Sequence, residues 1–147
     1  MTASLASIRV LIVDDFKPWR DRICSMLKVR PELRVICEAS EGLEAVQRAE
    51  ELQPDLILLD VGLPKLNGIE AAGRIRRLAH KSRILFLTLN DSLDVVQAAL
   101  STGAQGYVVK TRAGRELLVA IEAVMRGEQF VSSRLAEQDF VLGTHSA

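Results

Sequence analysis

Five short runs of branched apolar residues recur along the 147-residue chain, separated by stretches whose apolar residues fall at helical spacing. The runs are IRVLIV at 8–13, LRVICEA at 33–39, LILL at 56–59, ILFL at 84–87 and GYVV at 106–109. Runs this apolar suit strands covered on both faces, as in a parallel sheet, because a strand with one wet face would alternate apolar and polar residues. Between them, Trp19, Ile23, Met26 and Leu27 form one helical face after Pro18, and Ala45, Val46, Ala49 and Leu52 form the next, between Ser40 and Pro54. Ile69, Ala72, Ile75 and Leu78 mark a third helix over 68–79, Val95, Val96, Ala99 and Leu100 a fourth over 92–100, and Leu117, Leu118, Ile121, Val124 and Met125 a fifth over 114–126. This alternation predicts an α/β domain over 8–127, a mostly parallel sheet with helices on both faces.

Local signals punctuate the pattern. Pro18 fits the first turn of a helix, Pro31 stops that helix, Ser40 is placed to cap the next and Pro54 to end it. Gly103 is expected to end the fourth helix. The fifth has a weak start, with Thr111 as its candidate cap, and an exposed i,i+4 pair between Glu122 and Arg126. Residues 1–7 read as a flexible lead-in, and 128–147 as a tail with a short apolar element around Phe130 and Val131.

Right-handed crossovers place all the strand C-termini at one edge of such a sheet, where open α/β folds keep their sites. Strand one ends in Asp14-Asp15, strand three in Asp60, strand four in Thr88 and strand five in Lys110. Asp60 lies in DLILLDVGLPKLNG, where Val-Gly-Leu-Pro follows it and the loop is expected to close with an Asn67-Gly68 turn. An acid there either caps a helix or works, and the lack of an immediately following helix weakens the capping reading. Clustered carboxylates repel and are costly to desolvate, so they share protons or recruit a cation. Oxygen-only ligands suit a hard ion such as Mg²⁺, and His80 and His145 lie far from these strand ends in the sequence. With Mg²⁺ bound, Asp60 is a candidate nucleophile toward a phosphoryl group, with Lys110 offsetting charge on the phosphoryl oxygens and Thr88 sensing them by a hydrogen bond.

Composition narrows the alternatives. The 19 basic and 19 acidic residues balance, which argues against nucleic acid or an anionic membrane as this chain's main partner. Cys24 and Cys37 lack C-x-x-C spacing and read as small core residues in a reducing compartment. The N-terminus is unlike a signal peptide, and no run approaches the ~18 apolar residues of a membrane span, so a soluble cytoplasmic protein is expected. The remaining competitors are a flavin binder and a phosphatase with an aspartyl nucleophile. The DDFKPW loop lacks the glycines and hydroxyls a flavin site wants, and neither G-x-G-x-x-G nor G-x-x-x-x-G-K occurs.

The order D-D after strand one, D in D-x-x-L-P-x-x-x-G after strand three, T after strand four and K after strand five resembles the receiver domain of two-component response regulators. DVGLPKLNGIEA and STGAQGYVVK are similar to the NarL/FixJ-type regulators, which usually carry a LuxR-like helix-turn-helix output domain. The resemblance implies a flavodoxin-like (βα)5 doubly wound sheet of strand order 2-1-3-4-5, and a phosphoacceptor signalling domain rather than an enzyme. It implies that Asp60 takes a phosphoryl group from a sensor histidine kinase or phosphotransfer protein. Mg²⁺ would be held by Asp15, Asp60 and the Gly62 carbonyl, with Asp14 acting through water. Thr88 and Tyr107 would be the switch residues, biasing the surface of the fourth helix, fifth strand and fifth helix, and a phosphorylation-dependent homodimer becomes a candidate assembly.

Three positions depart from the common pattern. Thr111 follows Lys110 where many receivers have proline, and Leu89 follows Thr88 where a small residue is more usual, so Leu89 is expected to narrow access for small phosphodonors. Gly62, two after Asp60, has no side chain to orient an attacking water, which predicts slow hydrolysis of the acyl phosphate. Trp19, one turn into the helix after the acid pair, is a candidate optical reporter. About a score of residues follow Arg126, too few for a helix-turn-helix domain. The tail FVSSRLAEQDF resembles the stretch that precedes a linker in that subfamily, which favours a receiver cut from a longer transcription regulator, with a stand-alone receiver acting by docking or phosphorelay as the alternative.

Overall fold

The computed structural model describes residues 7–132. A parallel sheet of six strands runs β2-β1-β3-β4-β5-β6, with β1 Ile8–Val13, β2 Leu33–Ala39, β3 Leu56–Leu59, β4 Arg83–Thr88, β5 Gly106–Val109 and β6 Phe130–Val131. The helices are α1 Lys17–Leu27, α2 Gly42–Leu52, α3 Gly68–Leu78, α4 Leu93–Leu100 and α5 Ala113–Met125. The expected order of the first five strands is therefore present. β6 adds a short parallel strand on the outer edge of β5, covering a row of backbone groups that would otherwise be open to pairing.

Strand side chains alternate between two cores, as the period of two requires. Leu11, Val13, Ile57, Leu59, Ile84, Phe86 and Tyr107 face α2, α3 and α4, which contribute Ala45, Ala49, Ala72, Ile75, Val96 and Ala99. Val10, Ile12, Leu56, Leu58, Leu85, Leu87 and Val108 face α1 and α5, which contribute Ile23, Leu27, Leu117, Ile121 and Val124. Both faces of β1, β3 and β4 are thus dry, which is why these strands read as continuous apolar runs.

Several local expectations are corrected. Glu41, not Ser40, occupies the N-cap of α2. Ser40 instead donates its N–H to Glu44 Oε1 at 2.9 Å, so the acid one turn into the helix reaches back over the entrance. Asn67 caps α3, its side chain accepting the Glu70 N–H at 3.0 Å, where a turn at Asn67-Gly68 was expected. Leu78 is 41% exposed rather than inward. A 3₁₀ turn, Lys110–Arg112, leads into α5, whose N-cap position falls on Arg112 with no capping hydrogen bond from its side chain, so Thr111 lies inside the turn and not at the cap. Glu122 pairs with Arg30 at 2.6 Å and Arg126 with Glu128 at 3.1 Å, in place of the Glu122–Arg126 pair.

The lead-in over 1–6, the tail from 133 and His145 lie outside the described residues. Within the segment 128–132, the Phe130 N–H donates to Gln105 O and the Ser132 N–H to Tyr107 O, each at 2.9 Å. Cys24 and Cys37 are free and half-buried. Among the described residues no helix is long and apolar enough to cross a membrane.

Candidate functional site

The strand ends converge because their backbones are anchored to their neighbours. Val13 pairs with Leu59 and Thr88 with Val109, the Asp14 N–H donates to Ala39 O at 3.0 Å, and the Asp60 N–H donates to Val13 O at 3.1 Å. Asp14 and Asp60 therefore sit side by side at the mouth of the sheet, both buried, with Asp15 exposed beside them. One carboxylate oxygen from each of the three lies within 4.8 Å of the other two.

The loop after Asp60 is held by Val61, whose carbonyl accepts N–H groups from Leu63 at 3.0 Å and Gly68 at 2.7 Å, and by the burial of Leu63 and Leu66. Gly68 must be a glycine. A Cβ there would stand 1.9 Å from the Asp60 carbonyl oxygen and 2.8 Å from the Val61 Cα, so the start of α3 lies directly against the backbone that carries the acid.

Lys110 reaches into the acidic cluster from the far side. Its ammonium is 2.5 Å from Asp14 Oδ2 and 3.3 Å from Asp60 Oδ2, with all three side chains at most 10% exposed. The Trp19 ring lies beside the same ammonium, 5.2 Å from Nζ to the ring centroid. Burial pushes the Asp14 carboxyl above its ordinary range. The Lys110 ammonium and the Phe16 N–H, which donates to Asp14 Oδ1 at 2.9 Å, pull against that shift, while the Asp60 charge adds to it.

A cleft of about 400 Å³ opens over Asp60, bordered by Val61, Gly62, Thr88, Leu89, Asn90 and Lys110. Gly62 has its N–H 3.5 Å from Asp60 Oδ1, and a Cβ built there meets none of the described residues within 4 Å. The missing side chain thus leaves open space above the acid. Leu89 is 68% exposed and forms part of the rim.

Behind the cleft, Tyr107 is wholly buried, already turned inward, and donates its hydroxyl proton to Asn90 O at 2.7 Å. The Asn90 N–H leans toward Thr88 Oγ1 at 3.4 Å, and Asn90 Oδ1 accepts the N–H of Ser92, the N-cap of α4, at 3.0 Å. One loop residue therefore touches both expected switch residues and the start of α4. Sequence reasoning did not single out Asn90, although an asparagine two residues before a helix entrance is a familiar local turn former.

The seven expected site residues thus fall into one neighbourhood. Asp14, Asp15, Asp60 and Lys110 form the charged cluster, Gly62 and Thr88 border the cleft, and Tyr107 packs beneath it. The response regulator receiver domain model matches residues 10–122, which takes in all of them.

The chain belongs to the response regulator receiver family.

It is similar to the transcriptional regulatory protein LiaR of Bacillus subtilis (strain 168), at 38% identity over 129 residues, covering 88% of this chain and 61% of that protein. Against the nitrate/nitrite response regulator protein NarL of Escherichia coli (strain K12) the identity is 33% over 126 residues, covering 86% of this chain and 58% of that one. The receiver thus spans about three-fifths of the length of these relatives. A crystal structure of a LuxR-family two-component response regulator from Aurantimonas sp. SI85-9A1 superposes with a TM-score of 0.85 at 34% identity, covering 89% of this chain and 94% of that one. The flavodoxin-like receiver fold expected from the strand-end residues and the NarL/LuxR-type affiliation expected from DVGLPKLNGIEA and STGAQGYVVK are both borne out.

Proposed function

We propose that Asp60 is the phosphoacceptor of this receiver and that Asp14, Asp15, Asp60 and the Gly62 carbonyl hold Mg²⁺. The observation that carries the reading is the placing of the Lys110 ammonium against Asp60 and Asp14 beside a three-carboxylate cluster, at the floor of an open cleft. The donor set fits a hard divalent cation, because it is all oxygen and contains neither imidazole nor thiolate. When bound, Mg²⁺ would neutralise charge on the carboxylates and the phosphoryl oxygens.

The chain's own residues supply the rest. An Asp60 carboxylate oxygen attacks the phosphorus of a phosphohistidine on a sensor kinase or phosphotransfer protein. The P–O bond forms as the P–N bond breaks, and the electron pair returns to the imidazole nitrogen, which takes a proton from solvent. The Lys110 ammonium exchanges its contact with Asp60 for one with a phosphoryl oxygen, and the Thr88 hydroxyl donates to another. Drawing Thr88 toward the cleft pulls on Asn90, and through it on the Tyr107 hydroxyl and the entrance of α4. That path carries the modified state to the α4–β5–α5 surface. The chain acts as a signalling domain in which one phosphoryl group per molecule is accepted and slowly lost. By analogy with relatives named as transcriptional regulators, the switched surface serves the control of transcription, with a phosphorylation-dependent homodimer as the assembly and the cytoplasm as the place of action. The test is the mass gained on incubation with Mg²⁺ and either a small phosphodonor or a cognate kinase. One phosphoryl group is expected on the wild type and none on Asp60→Asn.

A further inference from the structure

The phosphoacceptor reading leaves one contact of Lys110 without a role, and on that reading the following inference rests. We propose that Trp19 is a positioning residue for phosphoryl transfer, its indole face holding the Lys110 ammonium over Asp60. The ring reaches the cluster because α1 starts at Lys17, two residues after the acid pair, with Pro18 in its first turn, and helical side chains point back toward the N-terminus of their helix. Trp19, in the first turn, therefore lies toward the strand ends, with the Lys110 Nζ 5.2 Å from its centroid. Arg22, one turn further along α1, lies with its guanidinium 5.6 Å from the same centroid and helps fix the ring.

Packing alone does not account for a tryptophan here. Among the described residues the buried Trp19 Nε1–H has no hydrogen-bond partner, a cost that leucine or phenylalanine would avoid in the same space. What tryptophan adds over either is the strongest aromatic face for a cation. The other close partners of the ammonium are the Asp14 and Asp60 carboxylates, and their pull on it changes as soon as the cluster holds a cation or Asp60 becomes an acyl phosphate. The indole face carries no titratable charge, so its attraction persists through the reaction. It keeps a flexible four-carbon side chain from swinging into solvent while its ionic partners are exchanged.

The experiment combines one optical and one kinetic measurement. Trp19 is the sole tryptophan in the chain, so emission of the intact protein without metal reads its surroundings alone. Lys110→Met should change emission intensity and lifetime, whereas identical spectra and lifetimes would overturn the contact. Phosphorylation by a small donor in Mg²⁺ is then followed by intact mass for wild type, Trp19→Leu and Trp19→Phe, each also in the Lys110→Met background. Trp19→Leu should slow labelling about fivefold to thirtyfold, and Trp19→Phe, with a weaker aromatic face, should recover part of the rate. In the Lys110→Met background Trp19→Leu should have no further effect, because the two residues act as one unit. Equal slowing with and without the Lys110 ammonium marks a structural role and overturns the proposal, as does a Trp19→Leu variant labelled at the wild-type rate. If the wild type accepts no phosphoryl group even from a kinase, while the optical change on Lys110→Met is present, the phosphoacceptor reading is what has failed and the contact itself stands.

Discussion

Replacing Gly68 by alanine tests how tightly the acid is coupled to the helix behind it. The added Cβ would lie 1.9 Å from the Asp60 carbonyl oxygen, 2.8 Å from the Asp60 carbonyl carbon and 2.8 Å from the Val61 Cα, all backbone atoms that cannot rotate away. To reach ordinary van der Waals contact, near 3.5 Å, the start of α3 must separate from the Asp60–Val61 backbone by more than an ångström, or the loop between them must deform. Overpacking of this kind costs about 1–3 kcal/mol, and in a domain of this size roughly 3–5 °C of Tm for each kcal/mol. The functional effect should be larger than the loss of stability. A displacement of about 1 Å at a reacting group is enough for a hundredfold loss of rate, so labelling of Asp60 should fall on that scale even where the protein is fully folded. Gly62→Ala is the matched control, since its Cβ meets none of the described residues within 4 Å and its Tm should stay within about 2 °C of wild type. The assay is thermal unfolding by circular dichroism with the initial rate of phosphoryl incorporation measured well below Tm. If Gly68→Ala keeps both the wild-type Tm and the wild-type rate, the close approach of α3 to Asp60 is wrong.

Further outcomes follow from the same geometry. Tyr107 is the sole tyrosine, and burial first, then the charges of Asp60 and Asp91, raise its hydroxyl above the ordinary value of 10.0. The folded state therefore holds a proton that the unfolded chain releases above pH 10, so stability should fall as pH rises past that point, and tyrosinate absorbance should appear only together with unfolding. Absorbance rising near pH 10 in the folded protein would place Tyr107 in solvent. Ser132 donates its hydroxyl to Glu116 at 2.6 Å, accepts the Val109 N–H at 2.9 Å and is fully buried, so Ser132→Ala should cost about 1–3 kcal/mol in urea unfolding. A Lys110→Met variant leaves Asp14 and Asp60 facing each other without the ammonium. Its stability in chelator should drop, and the gain in Tm on adding saturating Mg²⁺ should exceed that of wild type, as differential scanning fluorimetry can read.

Strand positions and the residues at their ends were legible in the sequence for a physical reason. A strand dry on both faces must be continuously apolar, so Asp14, Asp60, Thr88 and Lys110 stand out as the first polar residues after each run. The features that escaped depend on partners distant in sequence. Glu122 leaves its i,i+4 neighbour for Arg30, in the turn after α1, brought close because α1 and α5 cover the same face of the sheet. Asn67 looked like part of a turn because the following glycine suggested one, yet that glycine is there to let the helix approach Asp60, and the asparagine caps it. The apolar pair Phe130-Val131 was visible, but its pairing as a two-residue strand depends on the edge of β5, a partner distant in sequence. Asn90 carries its weight through its backbone, accepting from Tyr107 and leaning toward Thr88, and a backbone contact leaves little trace in residue type.

The central claim, that Asp60 receives the phosphoryl group, is tested most directly by intact mass spectrometry of the wild type and Asp60→Asn after incubation with Mg²⁺ and a cognate sensor kinase. A single phosphoryl group on the wild type, none on the variant, and slow loss of the label after the donor is removed are the predicted results. A wild type that gains nothing from the kinase, or an Asp60→Asn variant that is labelled as fully as wild type, would contradict the account.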